Sequence, residues 1–598
     1  MEDELETVED ILKELDTVSS RTHNSRSGLS HQSLQRFKAS QTDADLIRIS
    51  YLVDSHASNL REKVSMRFER LLNRGDCTPD EAHVKVLKDI VVNKCNFNTT
   101  SSMADIKKMI AELPKEWTIV QITNSYNPLE ETNTTFNKHF TNDLYMTVFN
   151  CGQIELDPFC ITINSPWLNG VKLELLQQLT DLLQEYKDRL TSLFNRKFFK
   201  NEAEKEKYAM SGEILESTLR GITENIEKYW LQHWRCLLIG KYKDSSIENM
   251  IIEEVNNIIN LHLNSLNISN KIRQVLYYLT KGASFLTSNE ILAAVQHCLE
   301  DLCNANTKKL LAQAIKKLNL QITSQELYPV RNPLILVIDE CLDVIPWESL
   351  QILKHDPICR MPSLHFVYFL FKEYESSIEN GYKVITDYNN GNYVVNPDGN
   401  LDLMEKRIMA FLKHWMPEWK GINSRMPTNT EFNDLLKSAT IFSYHGHGNG
   451  THIMAVDTLQ KIKLHTVVLL FGCASNRIQR LGPEVETYGC YHMYLMSRCP
   501  CVLGMLWQVT DLYTDLLTSE FLSNWIPSKA TIPWKNVDKP TWTKARFDLN
   551  VKFEGQKGSH SNNLDLLKAL AHAKNVIDSN LVCNACIVRG LPVKIKLK

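Results

Sequence analysis

The spacing of apolar positions changes along the chain, and the predicted elements change with it. From Asp43 to about Leu113 the residues Leu46, Ile49, Leu52, Val53 and Leu60 recur at helical spacing, which predicts a small helical unit over 43–115. At Trp117 the period shortens. Trp117-Thr-Ile-Val-Gln-Ile-Thr123 is β-branched and runs into the turn-forming Asn124-Ser-Tyr-Asn-Pro128, so it reads as a strand; Ile154-Glu-Leu156 and Phe159-Cys-Ile-Thr-Ile163 read as further strands. Residues 171–318 are then almost wholly helical in pattern, with Leu173 to Phe194 and Ile214 to Leu238 apolar on one face and charged on the other. Within the second stretch Trp230, Trp234, Leu237 and Leu238 share one face, which predicts a packed core. After Pro333 strand and helix patterns alternate. The successive segments are Leu334 to Asp339, Trp347 to Lys354, Tyr393 to Val395, Leu401 to Trp415, Thr440 to Tyr444, Thr466 to Phe471 and Cys501 to Trp507. Such alternation predicts an α/β fold with a mainly parallel sheet covered by helices on both faces, and places any site at the carboxyl ends of the strands.

Residues 17–42 are rich in Ser, Thr, Gln, Asn and Arg, which predicts a flexible, phosphorylatable tether over 1–42. The expected organisation is thus a tether (1–42), a helical region (43–115), a small sheet with a large helical insert (116–330) and an α/β domain (331–598). The chain has 598 residues, more than one hydrophobic core accommodates. Its 43% hydrophobic and 23% charged composition is that of soluble globular protein. A formal net charge of -3 excludes a global field that would hold the chain on nucleic acid or an anionic membrane, so its partners are expected to be proteins. Apolar runs such as Pro333 to Ile338 and Val467 to Phe471 fall far short of the ~20 residues of a spanning helix. The acidic start Met1-Glu-Asp-Glu-Leu-Glu6 lacks the basic and apolar regions of a secretory signal. Fifteen cysteines without regular spacing suit free thiols in the cytoplasm or nucleus.

Two predicted strand ends carry reactive side chains. Ala439-Thr-Ile-Phe-Ser-Tyr444 breaks into His445-Gly446-His447-Gly448-Asn449-Gly450, where alternate glycines let the backbone turn sharply beside a ligand. Val467-Val-Leu-Leu-Phe471 ends in Gly472-Cys473-Ala474-Ser475, a thiol on a turn where a helix is expected to begin, with amides that would favour a thiolate. A thiol of pKa about 8.5 is mostly protonated at neutral pH, whereas an imidazole near 6.5 is mostly free base, so pairing them makes an activated nucleophile. The histidine later protonates the leaving amine, and the backbone of Cys473, Gly446 and Gly448 is expected to hold the oxyanion. Neither metal nor cofactor is needed. His445 competes with His447 for the role of base, and its place ahead of the Gly-His-Gly turn makes it the flanking residue. Cys583-Asn-Ala-Cys586 has the spacing of half a zinc finger, but no second pair lies nearby and the segment reads as strand; Cys490, Cys499 and Cys501 read as structural thiols.

Tyr444-His-Gly-His-Gly448, Leu469-Leu-Phe-Gly-Cys-Ala-Ser475 and Leu503-Gly-Met-Leu-Trp-Gln-Val-Thr-Asp511 resemble, in order and spacing, the signature blocks of separase, the caspase-like protease that opens cohesin rings at anaphase. Val337 to Leu350 and Asn392-Tyr-Val-Val-Asn-Pro397 resemble the segments that open its protease domain, and Gly590-Leu-Pro-Val593 its end. The resemblance is strong over 331–598 and weak before it, where separases carry an inactive caspase-like domain. By position it implies Cys473 as nucleophile and His447 as general base. The family cleaves the cohesin kleisin subunit after Arg in Glu-x-x-Arg sites, so an acid must line the S1 pocket; Asp511 is the first candidate and Asp515 the second, while Gln508 replaces the first Asp of the family's block. Securin is the implied inhibitor, lying across the site as a pseudosubstrate. The short region ahead of Trp117 resembles the separases of flies, in which a helical solenoid is a separate subunit that would dock on residues 43–113. A caspase-like Arg-specific peptidase of another pathway and a catalytically inactive scaffold are the competing readings.

Overall fold

The computed structural model describes residues 25–64, 102–126, 140–153, 156–195, 201–263, 266, 268–300, 302–325, 330–454, 459, 462–479, 487–548, 551–558 and 562–597. Its centre is one eleven-stranded sheet. In chain order the strands are β1 (Thr118–Tyr126), β2 (Phe140–Asn150), β3 (Phe159–Ile163), β4 (Leu334–Ile338), β5 (Ile358–Met361), β6 (Gly391–Val395), β7 (Lys420–Asn423), β8 (Ile441–His445), β9 (Val467–Leu470), β10 (Cys501–Met505) and β11 (Cys586–Gly590). Across the sheet they run β7-β6-β8-β9-β10-β11-β5-β4-β1-β2-β3.

The direction of pairing divides this sheet in two. Strands β7, β6, β8, β9 and β10 are mutually parallel. β11 runs antiparallel to β10 and parallel to β5, β4 and β1, so the two parallel blocks point opposite ways and their carboxyl ends lie on opposite edges. β2 and β3 close the far edge as antiparallel strands. The interior strands β4 and β9 are apolar and buried at every position, as expected of strands covered on both faces.

Several expectations need correction. The boundary at 330/331 separates strands that pair: β4 and β5, placed by sequence at the head of the last domain, extend the sheet begun by β1. The expected tether is helical over Ser25–Ser40, with Leu34, Phe37 and Ala39 buried and Arg36 ion-paired to Asp339 at 3.1 Å. β1 runs on through Asn124 and Ser125 to Tyr126, because the Asp339 carboxylate accepts from the Asn124 amide and replaces a turn. The start of the expected tether, residues 65–101 of the helical region and the strand at Ile154 lie outside the described residues.

The helical insert comprises Leu175–Asn195, Glu202–Asn225, Ser245–Leu263, Asn270–Gly282, Ser288–Leu299 and Ala305–Gln325. Trp230, Trp234, Leu237 and Leu238 are all buried there. Cys583 and Cys586 are buried free thiols, and the described residues contain no cluster of His, Cys, Asp and Glu able to hold a metal. None of the described helices is long and apolar enough to cross a membrane.

Candidate active site

Adjacent strands β8 and β9 pair in parallel from Ile441↔Val467 to Tyr444↔Leu470, so their carboxyl ends finish level. β8 continues into Gly446-His447-Gly448, and β9 continues through Phe471 and Gly472 to Cys473. The two turns touch. A Cβ on Gly472 would lie 1.9 Å from the Gly448 carbonyl oxygen and 2.5 Å from that of Gly446, so only glycine lets the thiol turn approach the histidine turn this closely. Gly448 itself has φ +62°, a left-handed conformation that favours glycine. The Tyr444 hydroxyl donates to the His447 carbonyl at 2.8 Å and fixes the turn from below.

His447 is exposed, with Nε2 3.0 Å from Asn400 Oδ1. His445 is buried, bonded through Nε2 to the Ser443 hydroxyl at 2.6 Å and stacked on Phe471. Burial pushes its pKa down to about 3, so it stays neutral and closed to substrate. The Gly446, Gly448 and Cys473 backbones, expected to bind the oxyanion, are brought together by the contact at Gly472.

Cys473 is half-buried, and its Sγ lies 3.4 Å from the Val509 amide nitrogen in the loop after β10. Burial pushes the thiol above its ordinary value, with the Val509 amide pulling the other way. The expected helix start is absent here. Residues 472–476 form turns, Ala474 has φ +51° and its N–H donates to the Trp507 carbonyl at 2.9 Å. A thiol raised by burial loses its proton to a base rather than to water. On Leu175–Asn195 of the helical insert, burial first and then the nearby Glu216 and Cys473 push the Tyr186 hydroxyl above its ordinary value.

The two S1 candidates lie on the helix Asp511–Trp525, and both meet Arg407 of the helix Asp402–Trp415. Asp515 accepts from Arg407 Nε at 2.6 Å and is buried, so its carboxylate is closed to a substrate, which corrects the expectation for that residue. Asp511 accepts from Arg407 Nη2 at 3.0 Å but keeps its side chain 48% exposed. Gln508 lines a separate cleft of about 290 Å³ with Glu340, Arg36 and Arg477. Sequence reasoning missed Asn400, Arg407, Val509 and Tyr186. The Asn392 to Pro397 block points to the loop that holds Asn400; no pattern marks the other three as neighbours of the site.

The protein-family model "Separin, protease domain" matches residues 171–512, reaching back across the helical insert. Mouse separin is 29% identical over 323 residues, 54% of this chain and 14% of the mouse protein. Separin of Schizosaccharomyces pombe is 24% identical over 466 residues, 74% of this chain and 24% of that protein. Separin of Emericella nidulans is 33% identical over 194 residues, 32% of this chain and 9% of its relative. The chain therefore spans a quarter or less of the length of these curated relatives. A crystal structure of the Saccharomyces cerevisiae separase-securin complex superimposes with a TM-score of 0.62 over 95% of this chain and 38% of the yeast chain, at 17% identity, a likeness of caspase-like fold. With its protease-domain model matched over more than half the chain, the sequence belongs to the separase family.

Proposed function

We propose that the chain is a separase-type cysteine endopeptidase with Cys473 as nucleophile and His447 as general base. The observation that carries this reading is the contact of the thiol and histidine turns at Gly472, on level ends of adjacent parallel strands. His447 takes the Cys473 proton and the thiolate attacks the scissile carbonyl carbon. The imidazolium then protonates the leaving amine, and water hydrolyses the thioester. Half-exposed Asp511 is the acid offered to an Arg at P1, in keeping with kleisin cleavage at Glu-x-x-Arg sites during sister-chromatid separation, in cytoplasm and nucleus. The solved neighbours are separase-securin complexes, which supports securin as a pseudosubstrate inhibitor here. The test is labelling by an Arg acyloxymethyl ketone together with cleavage of a kleisin fragment. Both are expected to vanish in Cys473→Ser; labelling that persists in that variant refutes the assignment.

A further inference from the structure

His447 stands exposed on a glycine-flanked turn, where an imidazole by itself would sample both tautomers and several ring orientations. Its Nε2 faces Asn400 Oδ1 at 3.0 Å. A carbonyl oxygen only accepts, so the hydrogen sits on Nε2 and the lone pair on Nδ1. Resting on the dyad reading above, we propose that Asn400 is a positioning residue, which accepts from His447 Nε2–H and holds Nδ1 as the atom that takes the Cys473 proton.

Asn400 is exposed, but its backbone is anchored. The amides of Asn400 and Leu401 donate to Asn396 Oδ1 at 3.1 and 3.0 Å. Asn396 is buried, has φ +49°, and its own amide donates to the His445 carbonyl at 2.8 Å, tying the loop to the end of β8 that carries His447. Its side-chain nitrogen donates to Glu405 at 2.7 Å, and Glu405 also accepts from Asn423 and Ser424. Burial alone would raise the Glu405 carboxyl, but these donors outweigh it and hold it below the usual range. One buried anion thus organises the loop that presents Asn400, while the Tyr444 hydroxyl fixes the backbone of His447. The arrangement supplies what a thiol–imidazole pair needs from a third group, a fixed tautomer and ring plane, without placing a charge beside the imidazolium. The other titratable groups around the loop and the dyad include Asp398 with His452 at 3.9 Å, Tyr444, Asp402, buried His445, Glu405, the Cys473 thiol and Asp511. The substitutions below leave all of them in place.

The test uses the full chain and a fluorogenic peptide with Arg before the leaving group. Asn400→Ala is expected to lower kcat about 10- to 100-fold with KM nearly unchanged, less than loss of the base itself. Asn400→Asp keeps the acceptor. It should restore most of the rate and move the basic limb of the kcat/KM profile up by about one pH unit, because a carboxylate stabilises the imidazolium. Thermal midpoints should match wild type, since the side chain is exposed. Wild-type kcat in Asn400→Ala, a change confined to KM, or equal losses in Asn400→Ala and Asn400→Asp with unchanged midpoints would overturn the inference. Activity that survives Cys473→Ser would instead overturn the dyad reading beneath it.

Discussion

Outward from the junction of β10 and β11, the two halves of the sheet present the same sequence of parallel strands and end them differently. The second strand out is β9 on one side and β5 on the other; the third is β8 and β4. β9 and β8 end in Cys473 and His447, on glycine turns that touch. β5 ends at Met361, and the following Ser363 caps the helix Leu364–Tyr374. β4 ends in Asp339, buried against Arg36 of the helix Ser25–Ser40. Burial would raise the Asp339 carboxyl, but Arg36 and His56 hold it below the usual range. The same succession of parallel strands therefore leaves one set of strand ends half-open, and the other capped and ion-paired. What distinguishes a candidate site from a structural strand end here is the chemistry of two or three turn residues.

The sharpest way to break this comparison is to remove the reactive groups on one side only. Cys473→Ser should abolish turnover, and His447→Ala should lower kcat/KM by about 10²- to 10⁴-fold. His445→Ala removes a ring stacked on Phe471 and should lower the thermal midpoint more than the rate. Equal kinetic losses in the two histidine variants would reverse their assignment.

The junction offers a second test. β11 and β5 pair only at Arg589↔Arg360, and both arginines reach Asp343, Arg589 at 2.6 Å, while Arg360 also holds Glu348 at 2.8 and 2.6 Å. Arg360, Arg589 and Asp343 are buried, and the Glu348 side chain is nearly so. Asp343→Ala leaves buried Arg589 without its carboxylate, while Arg360 keeps Glu348, and should cost about 3–5 kcal/mol, read as a fall in denaturant midpoint. Burial alone would raise Asp343 and Glu348, but the guanidinium groups hold both below the usual carboxylate range. Their contribution is therefore full above the unfolded-state values of about 4 and lost as pH falls through the lower folded-state values. Acid unfolding of wild type should be steep there, and shallower in Asp343→Ala.

Asp511→Asn, at a half-exposed acid, should reduce kcat/KM for Arg substrates by an amount equivalent to about 1–3 kcal/mol, with little change for uncharged P1 analogues. Asp515→Asn should instead destabilise the fold, because it leaves Arg407 buried without its closest partner. Loss of Arg preference in Asp515→Asn at an unchanged midpoint would return the pocket to Asp515.

These contrasts mark what the sequence displays and what it hides. The β8 and β9 turns are legible because apolar runs end abruptly in glycine beside His and Cys, and the parallel sheet is legible in continuous apolar runs. The helix Ser25–Ser40 is not, because Gln32, Gln35 and Arg36 read as solvated residues and are buried only through partners far along the chain. The single sheet is hidden for a related reason: β5 is four residues long and carries Arg360, a charge that no pattern assigns to a buried strand until Asp343 and Glu348 are seen around it. Asn400 looks like one more polar residue in a Pro-Asp-Gly-Asn loop, and its relation to His447 is one of distance alone.

The smallest expected effect tests whether the first half's strand end is purely structural. Ser363 is buried and its hydroxyl accepts from the Phe366 amide at 3.3 Å, satisfying an amide in the first turn of a helix whose Leu364, Phe366 and Phe369 are buried. Ser363→Ala should therefore cost about 1 kcal/mol and leave kcat unchanged, whereas Ser363→Thr or Ser363→Asp should retain the cap. Ser363→Cys places a thiol at the position that answers to the end of β9. Its neighbours are Asp339, an anion already paired with Arg36, and buried His56, an imidazole that burial holds down at about 4 and so makes a poor base. That thiol should stay protonated and resist the Arg acyloxymethyl ketone at neutral pH in a Cys473→Ser background. Labelling of Ser363→Cys would mean that the first half retains a working site and that the difference between the two halves lies in the nucleophile alone.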